Sequence, residues 1–452
     1  MKDLTQGNMQ KTFFLFAFPL VLAGVLSIAY GLIDTIIAGK YLGEQGLAAI
    51  GATSPFISFL SSFFWGYGSG ASIYIARLFG AKDYAKIRNA VLTQLLFISA
   101  CNILISVLSL LFRNQIMDFL QVDPAVRESA LQYFCIYISG LCLIIMTNTG
   151  LYLLNAFGIS SFPLYMSLIS TVLNIGGNLL SVAVWDFGII GIAVSSVLSA
   201  AVVAALYLIK IFSCFREMEP GNREKTKLSF SYVKESLSYS LPVAFQQLAM
   251  YFATMILSPM VNAIGVEASA AYSVVERVYS FNAMVYQNSA KTVSNFVAQC
   301  MGSQKYQSIR KGVGIGLFQS LLFLAPVLLF CSLCPRFLVS LFLDAASAEE
   351  AFDLAVRFSR FFLPFIVCNA VNNLFHNLYR GLKQMGFLMT STFGGVVVRV
   401  LSSFILIPLF GMDGFYAGWV ISWAAEALFC FILYLSRKWV PSDIRSVIYA
   451  KE

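Results

Sequence analysis

Stretches of about 20 mostly apolar residues recur along the whole chain, and this feature alone limits what it can fold into. A helix rising about 1.5 Å per residue needs roughly that many to cross a hydrocarbon core some 30 Å thick. Apolar residues are 59% of the 452 and charged residues 12%, against roughly 45–50% and about 25% in soluble domains. A soluble fold is excluded, and no stretch is left for a soluble domain of appreciable size. The expected fold class is all-α integral membrane.

Charged and Gly/Pro-rich breaks divide the apolar runs into twelve expected spans, starting near Thr12, Leu47, Lys86, Pro124, Phe162, Gly188, Tyr232, Glu267, Tyr306, Ala348, Gly386 and Asp413. The first run, Phe13 to Ile33, follows a polar head containing Lys2, Asp3 and Lys11. It is a full span, lacks a small-x-small cleavage site and leads straight into a second span, so it reads as a helix and not as a signal peptide. Nine cysteines lie mostly in apolar runs, where a thiol acts as a small hydrophobe. Cys331 and Cys334 form a C-x-x-C without the companion ligands that a zinc site needs.

With the N-terminus placed in the cytoplasm, 21 of the 30 Lys and Arg residues fall in cytoplasmic segments. The opposite side holds few basic residues, among acids such as Asp123, Asp344, Glu349 and Glu350. The positive-inside rule therefore places both termini in the cytoplasm, which demands an even number of spans. The net charge of +8 reflects this topology; basic residues scattered over short segments do not suit a nucleic-acid partner. The most hydrophilic segment, 216–229, lies mid-chain and reads as a cytoplasmic linker between lobes 1–215 and 230–452.

The two lobes repeat each other. Shifting the chain by 222 residues lays YIARLFGAKDYAKIRNAV from Tyr74 on FVAQCMGSQKYQSIRKGV from Phe296. Pro19 matches Pro242, and DFGIIG from Asp186 matches LFGMDG from Leu409, at an offset of 223. Six spans per half is even, so the halves enter the membrane in the same sense, as two pseudo-symmetric six-helix bundles. Substrate is then expected near the midplane between them, moved by alternating access.

A charge deep in a span costs at least about 2.5 kcal/mol and marks a candidate site. Asp34 lies about one turn from the outer end of the first span, with Tyr30 one turn before it on the same face. Pro19, with Gly24 and Gly31, makes that span the one expected to bend, so Pro19 is the candidate hinge. Asn174 and Asn178 share a face of the fifth span, and Asn148 and Asn155 one of the fourth. Each alone reads as interhelical glue; converging with Asp34 they could hold a proton or Na⁺. In the second half Glu276 is expected either to pair with Arg399 or to lie near Arg277 in a wet cavity, with Glu426 a further partner. Gln287 and the polar tenth span, including Asn373, complete that cluster, and a structural ion pair and a substrate contact are both open readings for it. His376, the single histidine, has no ligand-spaced companions and reads as a polar residue near one end of its span.

The run P-x14-D-T-I-I-A-G-K-Y-L-G-x3-L-A-A-I-G from Pro19, then A-R-x2-G-A-K-D-Y, L-N-A-F-G-x3-F-P and N-x3-N-x9-G-I-I-G-I-A, resembles the multidrug and toxic compound extrusion (MATE) transporters. The resemblance covers nearly the whole chain. It implies two six-helix bundles around a cleft, and efflux of mostly cationic amphiphiles driven by Na⁺ or H⁺. The family's first-helix carboxylate matches Asp34, a possible Na⁺ ligand, and its tyrosine matches Tyr30; other cation-site positions align with Asn148, Asn174 and Ser196. Asn178 stands where some members carry a second Asp, and Met250 where the NorM-type branch has a glutamate. The expected function is a secondary active antiporter of the cell membrane, working as a monomer among membrane lipids. It needs no organic cofactor, only H⁺ or Na⁺ as coupling ion. A flippase of lipid-linked saccharide or another amphiphile is the alternative, and a membrane enzyme or receptor a remote one.

Overall fold

The structure, a computed structural model, describes residues 1–218, 227–343 and 349–449, without the side chains of Ala29, Leu32, Asp34 and Thr35. Residues 219–226 of the expected linker thus lie outside the described residues. Every regular element among those described is a helix, and they gather into two compact units.

Unit 1 comprises Met1–Asp3 and Leu22–Ala244. It holds most of α1 (Met9–Gly80), then α2 (Tyr84–Leu111), α3 (Arg113–Phe119), α4 (Arg127–Ser139), α5 (Leu141–Ala156), α6 (Ser161–Leu179), α7 (Gly188–Met218) and the first turns of α8 (Phe230–Ile264). A π-helical turn, Leu180–Val184, prolongs α6. Two expected spans run together in α1, separated by Gly43 at φ 65° and ψ −165°, a conformation that only glycine adopts cheaply. α4 and α5 form one span bent by 48°. Phe64, Tyr67, Phe134, Ile138 and Ile192 are among the residues of the core. α8 lies close against α1, because a Cβ on Gly66 or Gly70 would come within 3 Å of the backbone of Ala244 or Ser240. Arg77 Nη1 donates to Tyr239 Oη at 3.1 Å on the same seam.

Unit 2 comprises Leu4–Val21 and Phe245–Glu452. It contains the rest of α8, then α9 (Val266–Gly302), α10 (Gln307–Leu333), α11 (Pro335–Ser340), α12 (Glu349–Phe362), α13 (Ile366–Gly381), α14 (Met385–Phe410), α15 (Met412–Leu435) and α16 (Ser442–Ile448). A 3₁₀ turn, Leu363–Phe365, joins α12 to α13 as one span. The start of α1 is bound into this unit: Leu4 N donates to Gln299 Oε1 at 2.9 Å, Gln319 Nε2 donates to Phe13 O at 3.1 Å, and Phe13 meets Phe296 edge-on at 4.9 Å. The core is strongly aromatic, with Tyr286, Phe362, Phe415, Tyr416, Trp419 and Trp423 all buried.

Backbone turns repeat between the halves. Gly43 and Gly265 both have positive φ, as do Lys82 and Gln304 (58° each) and Gly188 and Gly411 (56° and 58°). The boundary between units crosses α1 two residues after Pro19 and α8 two residues after Pro242.

By length and composition ten described helical segments can cross a membrane, or eleven with the bent α4–α5 pair. The twelfth expected span is α9, 37 residues long, whose Glu276, Arg277, Gln287 and Lys291 make it too polar to qualify on hydropathy. Large apolar side chains stand outward along the helices, including Leu104, Val184, Phe318, Leu401, Ile405 and Leu428. In water that surface would be an aggregation hazard, whereas against lipid tails it costs nothing. The chain is a multi-pass membrane protein.

Candidate functional site

In unit 1, α6 and α7 carry a buried chain of polar side chains. Asn178 Nδ2 donates to Asn174 Oδ1 at 3.0 Å, and Asn174 Nδ2 donates to Ser196 Oγ at 3.1 Å. Both asparagines are fully buried. Their i, i+4 spacing puts them on one face of α6, and Gly177 lets that face approach α7, since a Cβ there would lie 3.0 Å from Ser195. Ser181 Oγ, in the π-helical turn, donates to Asn178 O at 3.1 Å and sits 3.4 Å from Ser195 Oγ. π-turns in helices occur frequently at functional sites. Neutral amide and hydroxyl oxygens are hard donors, suited to Na⁺ or to hydrogen-bonding a carboxyl group.

The other residues expected in this site stand apart or outside the description. Asn148 is half-buried on α5, its Nδ2 donating to Ile144 O at 3.3 Å along its own helix. Tyr30 is half-buried on α1, and the side chain of Asp34 lies outside the described residues. Pro19 is half-buried on α1. Asn155 is fully buried, and neither its Nδ2 nor its Oδ1 meets a partner among the described residues.

In unit 2 Glu276 and Arg399 act on each other's charge without closing to a contact ion pair among the described residues. Arg399, 8% exposed, lays its guanidinium over the ring of Trp419 with its Cζ 3.5 Å from the centroid. No ion pair joins it to Glu276 among the described residues, and its Nε and Nη2 have no hydrogen-bond partner there. A planar, weakly hydrated guanidinium gains from stacking on a flat indole what it would otherwise take from a carboxylate. Glu276 is half-buried on α9, and Arg277 is exposed with its guanidinium 5.6 Å from the Phe342 ring. Around Trp419 the rings of Tyr279, Phe362, Phe415 and Trp423 pack at 5.5–5.7 Å. Asn369 Nδ2 bridges the hydroxyls of Tyr279 and Tyr286, each at 3.0 Å. Asn373 Oδ1 accepts from Asn377 Nδ2 at 3.1 Å, and Gln287 is half-buried.

The pairing that the sequence reading missed is His376 with Glu426. Their side chains are 8% and 9% exposed, and His376 Nε2 lies 3.0 Å from Glu426 Oε1. Fifty residues separate them, and the sequence signal was limited to one histidine in a polar span and one acid in an apolar one.

The sequence matches the MatE family twice in tandem, over residues 19–180 and 242–405, the second match opening at the proline that repeats Pro19. The probable multidrug resistance protein YoeA of Bacillus subtilis is 25% identical over 349 residues, which cover 76% of this chain and 75% of that protein. The multidrug export protein MepA of Staphylococcus haemolyticus is 22% identical over 450 residues, 98% of this chain and 97% of its own. In fold, the chain is similar over its whole length to 99% of a MATE family transporter of the MOP superfamily solved in an outward-facing conformation, with a TM-score of 0.90 and 20% identity. Two tandem matches that span most of the sequence, on a fold of two six-helix repeats, establish that this chain belongs to the MatE family of multidrug efflux transporters.

Proposed function

We propose that the chain exports organic, mostly cationic compounds across the cell membrane in exchange for H⁺ or Na⁺, by alternating access. The observation that carries this reading is the buried Asn178–Asn174–Ser196 chain in the same half as Asp34. In it Asp34 takes up and releases the coupling ion, Tyr30, Asn148, Asn174, Asn178 and Ser196 supply neutral oxygens, and α1 bends at Pro19. The names of YoeA and MepA support a broad substrate range. Both termini face the cytoplasm in this reading, and the monomer is the working unit.

Transport in proteoliposomes with Na⁺ and pH gradients imposed separately tests it. Efflux of a fluorescent organic cation should follow one gradient and be lost in Asp34→Asn. Unchanged ion-driven efflux in that variant would remove the proposal. A second reading, movement of an anionic amphiphile such as a lipid-linked saccharide, draws its support from Arg399, buried with two unpartnered nitrogens. Preferential binding of a labelled lipid-linked saccharide over organic cations would put that reading first.

A further inference from the structure

A closed polar network inside unit 2 has no part in the export reading above. Gln246 of α8 donates through Nε2 to Thr392 Oγ1 at 2.9 Å, and the same nitrogen faces His376 Nδ1 at 3.1 Å. Gln246 Oε1 accepts from the Arg380 guanidinium, so its amide cannot be turned round without setting NH₂ against guanidinium, two donors face to face. His376 Nδ1 therefore faces a donor and must be an acceptor. The imidazole is neutral, with its proton on Nε2. That N–H has two acceptors in reach, Glu426 Oε1 at 3.0 Å and Ser391 Oγ at 3.1 Å. Glu426 Oε2 accepts from Asn372 Nδ2 at 3.1 Å, and Asn372 Nδ2 also reaches Trp423 O at 3.0 Å.

Both carboxylate oxygens of Glu426 accept hydrogen bonds, and Glu426 is the acidic side chain of this network. The titratable groups near the network among the described residues include Tyr379 and Cys430, which act on the Glu426 charge, Arg380, bound to Gln246, Lys291 of α9, which acts on Arg380, and Arg399, one turn after Gly395 on α14. α10 offers none between Val313 and Phe330. Gly395 keeps the carboxylate uncrowded, since a Cβ there would stand 3.3 Å from it. The fold does not demand the network: at the repeat offset of 223, Gln246 and Glu426 replace Ala23 and Val203 of the first half.

We propose that Glu426 is a proton-binding site of the second half, separate from Asp34, with His376 as its positioning residue held in one neutral tautomer by Gln246. When the carboxylate takes a proton, a new O–H bond forms on Glu426. The His376 Nε2–H then turns its hydrogen bond to Ser391. The inference deepens the export reading by adding a second ionisable position, yet its tests need no transport.

Because His376 is the only histidine, [¹⁵N]histidine labelling gives a single imidazole in nitrogen NMR of the lipid-reconstituted protein. The expected spectrum shows one protonated and one bare ring nitrogen across mildly acidic to neutral pH, and Gln246→Leu should let the imidazolium appear on acidification. Two protonated nitrogens in the unaltered protein at neutral pH would overturn the tautomer assignment. In infrared difference spectra on acidification, a protonated-carboxyl band should be lost in Glu426→Gln, retained in Glu426→Asp and retained in Asp34→Asn. If Glu426→Gln keeps the full band, the site is wrong, whatever Asp34→Asn does to export.

Discussion

Tyr74 donates a 2.6 Å hydrogen bond to Glu235, tying α1 to the first turns of α8 inside unit 1. Phe296, the repeat counterpart of Tyr74, instead meets Phe13 of α1 edge-on. At this position the first half adds a hydrogen bond to the Tyr74–Tyr239 ring pair, whereas the second relies on an edge-on phenylalanine pair. Tyr74→Phe should lower stability by roughly 0.5–1.5 kcal/mol, because Glu235 is exposed and water replaces part of the lost bond. Phe296→Tyr should cost more, about 1–3 kcal/mol, since Phe296 is fully buried and the new hydroxyl would lack a partner. Thermal unfolding of the two detergent-purified variants checks the order.

The close approach of α1 and α8 depends on missing side chains. Gly70→Ala should force the backbones of α1 and Ser240 apart, at a cost of about 1–3 kcal/mol. Gly51→Ala, on the same helix with nothing within 4 Å, should be neutral or slightly stabilising. Equal melting temperatures for the two variants would contradict the packing described.

The stack of Arg399 on Trp419 separates two kinds of interaction. Arg399→Lys keeps the charge and loses the planar contact, so stability should fall by about 0.5–2 kcal/mol. Glu276→Gln should cost less, because the two charges interact only at a distance, with no contact ion pair between them among the described residues. Matching losses in both variants would point to a pair after all.

Asn178, Asn174 and Ser196 form one chain, so their contributions should not add. Asn174→Ala should destabilise by about 1–3 kcal/mol, leaving the Asn178 Nδ2 donor without its acceptor. A double-mutant cycle of Asn174→Ala with Ser196→Ala should show a coupling of about 0.5–1.5 kcal/mol. Additive losses would mean that the hydrogen bond contributes nothing.

Legibility in the sequence followed the range of the interactions. Asn174 and Asn178 could be placed together from their spacing alone, because one turn of helix brings i and i+4 onto a single face. Their link to Ser196 came only through the family resemblance, since spacing says nothing about which neighbouring helix that face meets. The polar α9 was expected as a span from the breaks that bound it, although a hydropathy threshold passes it over.

What the sequence by itself determined is the membrane as solvent, the helical class, the tandem repeat and the family. Each rests on apolar runs or on motifs in order, which are local properties of the chain. The tertiary structure alone decided the partners of isolated charges. Glu276 and Arg399 were matched by opposite sign and do act on each other's charge, but it is the fold that lays the Arg399 guanidinium on Trp419 and gives Glu426 to His376. Opposite charges attract at any rotation of a helix, but hydrogen bonding and stacking reach only a few ångströms, so the packing of α13, α14 and α15 selects who meets whom.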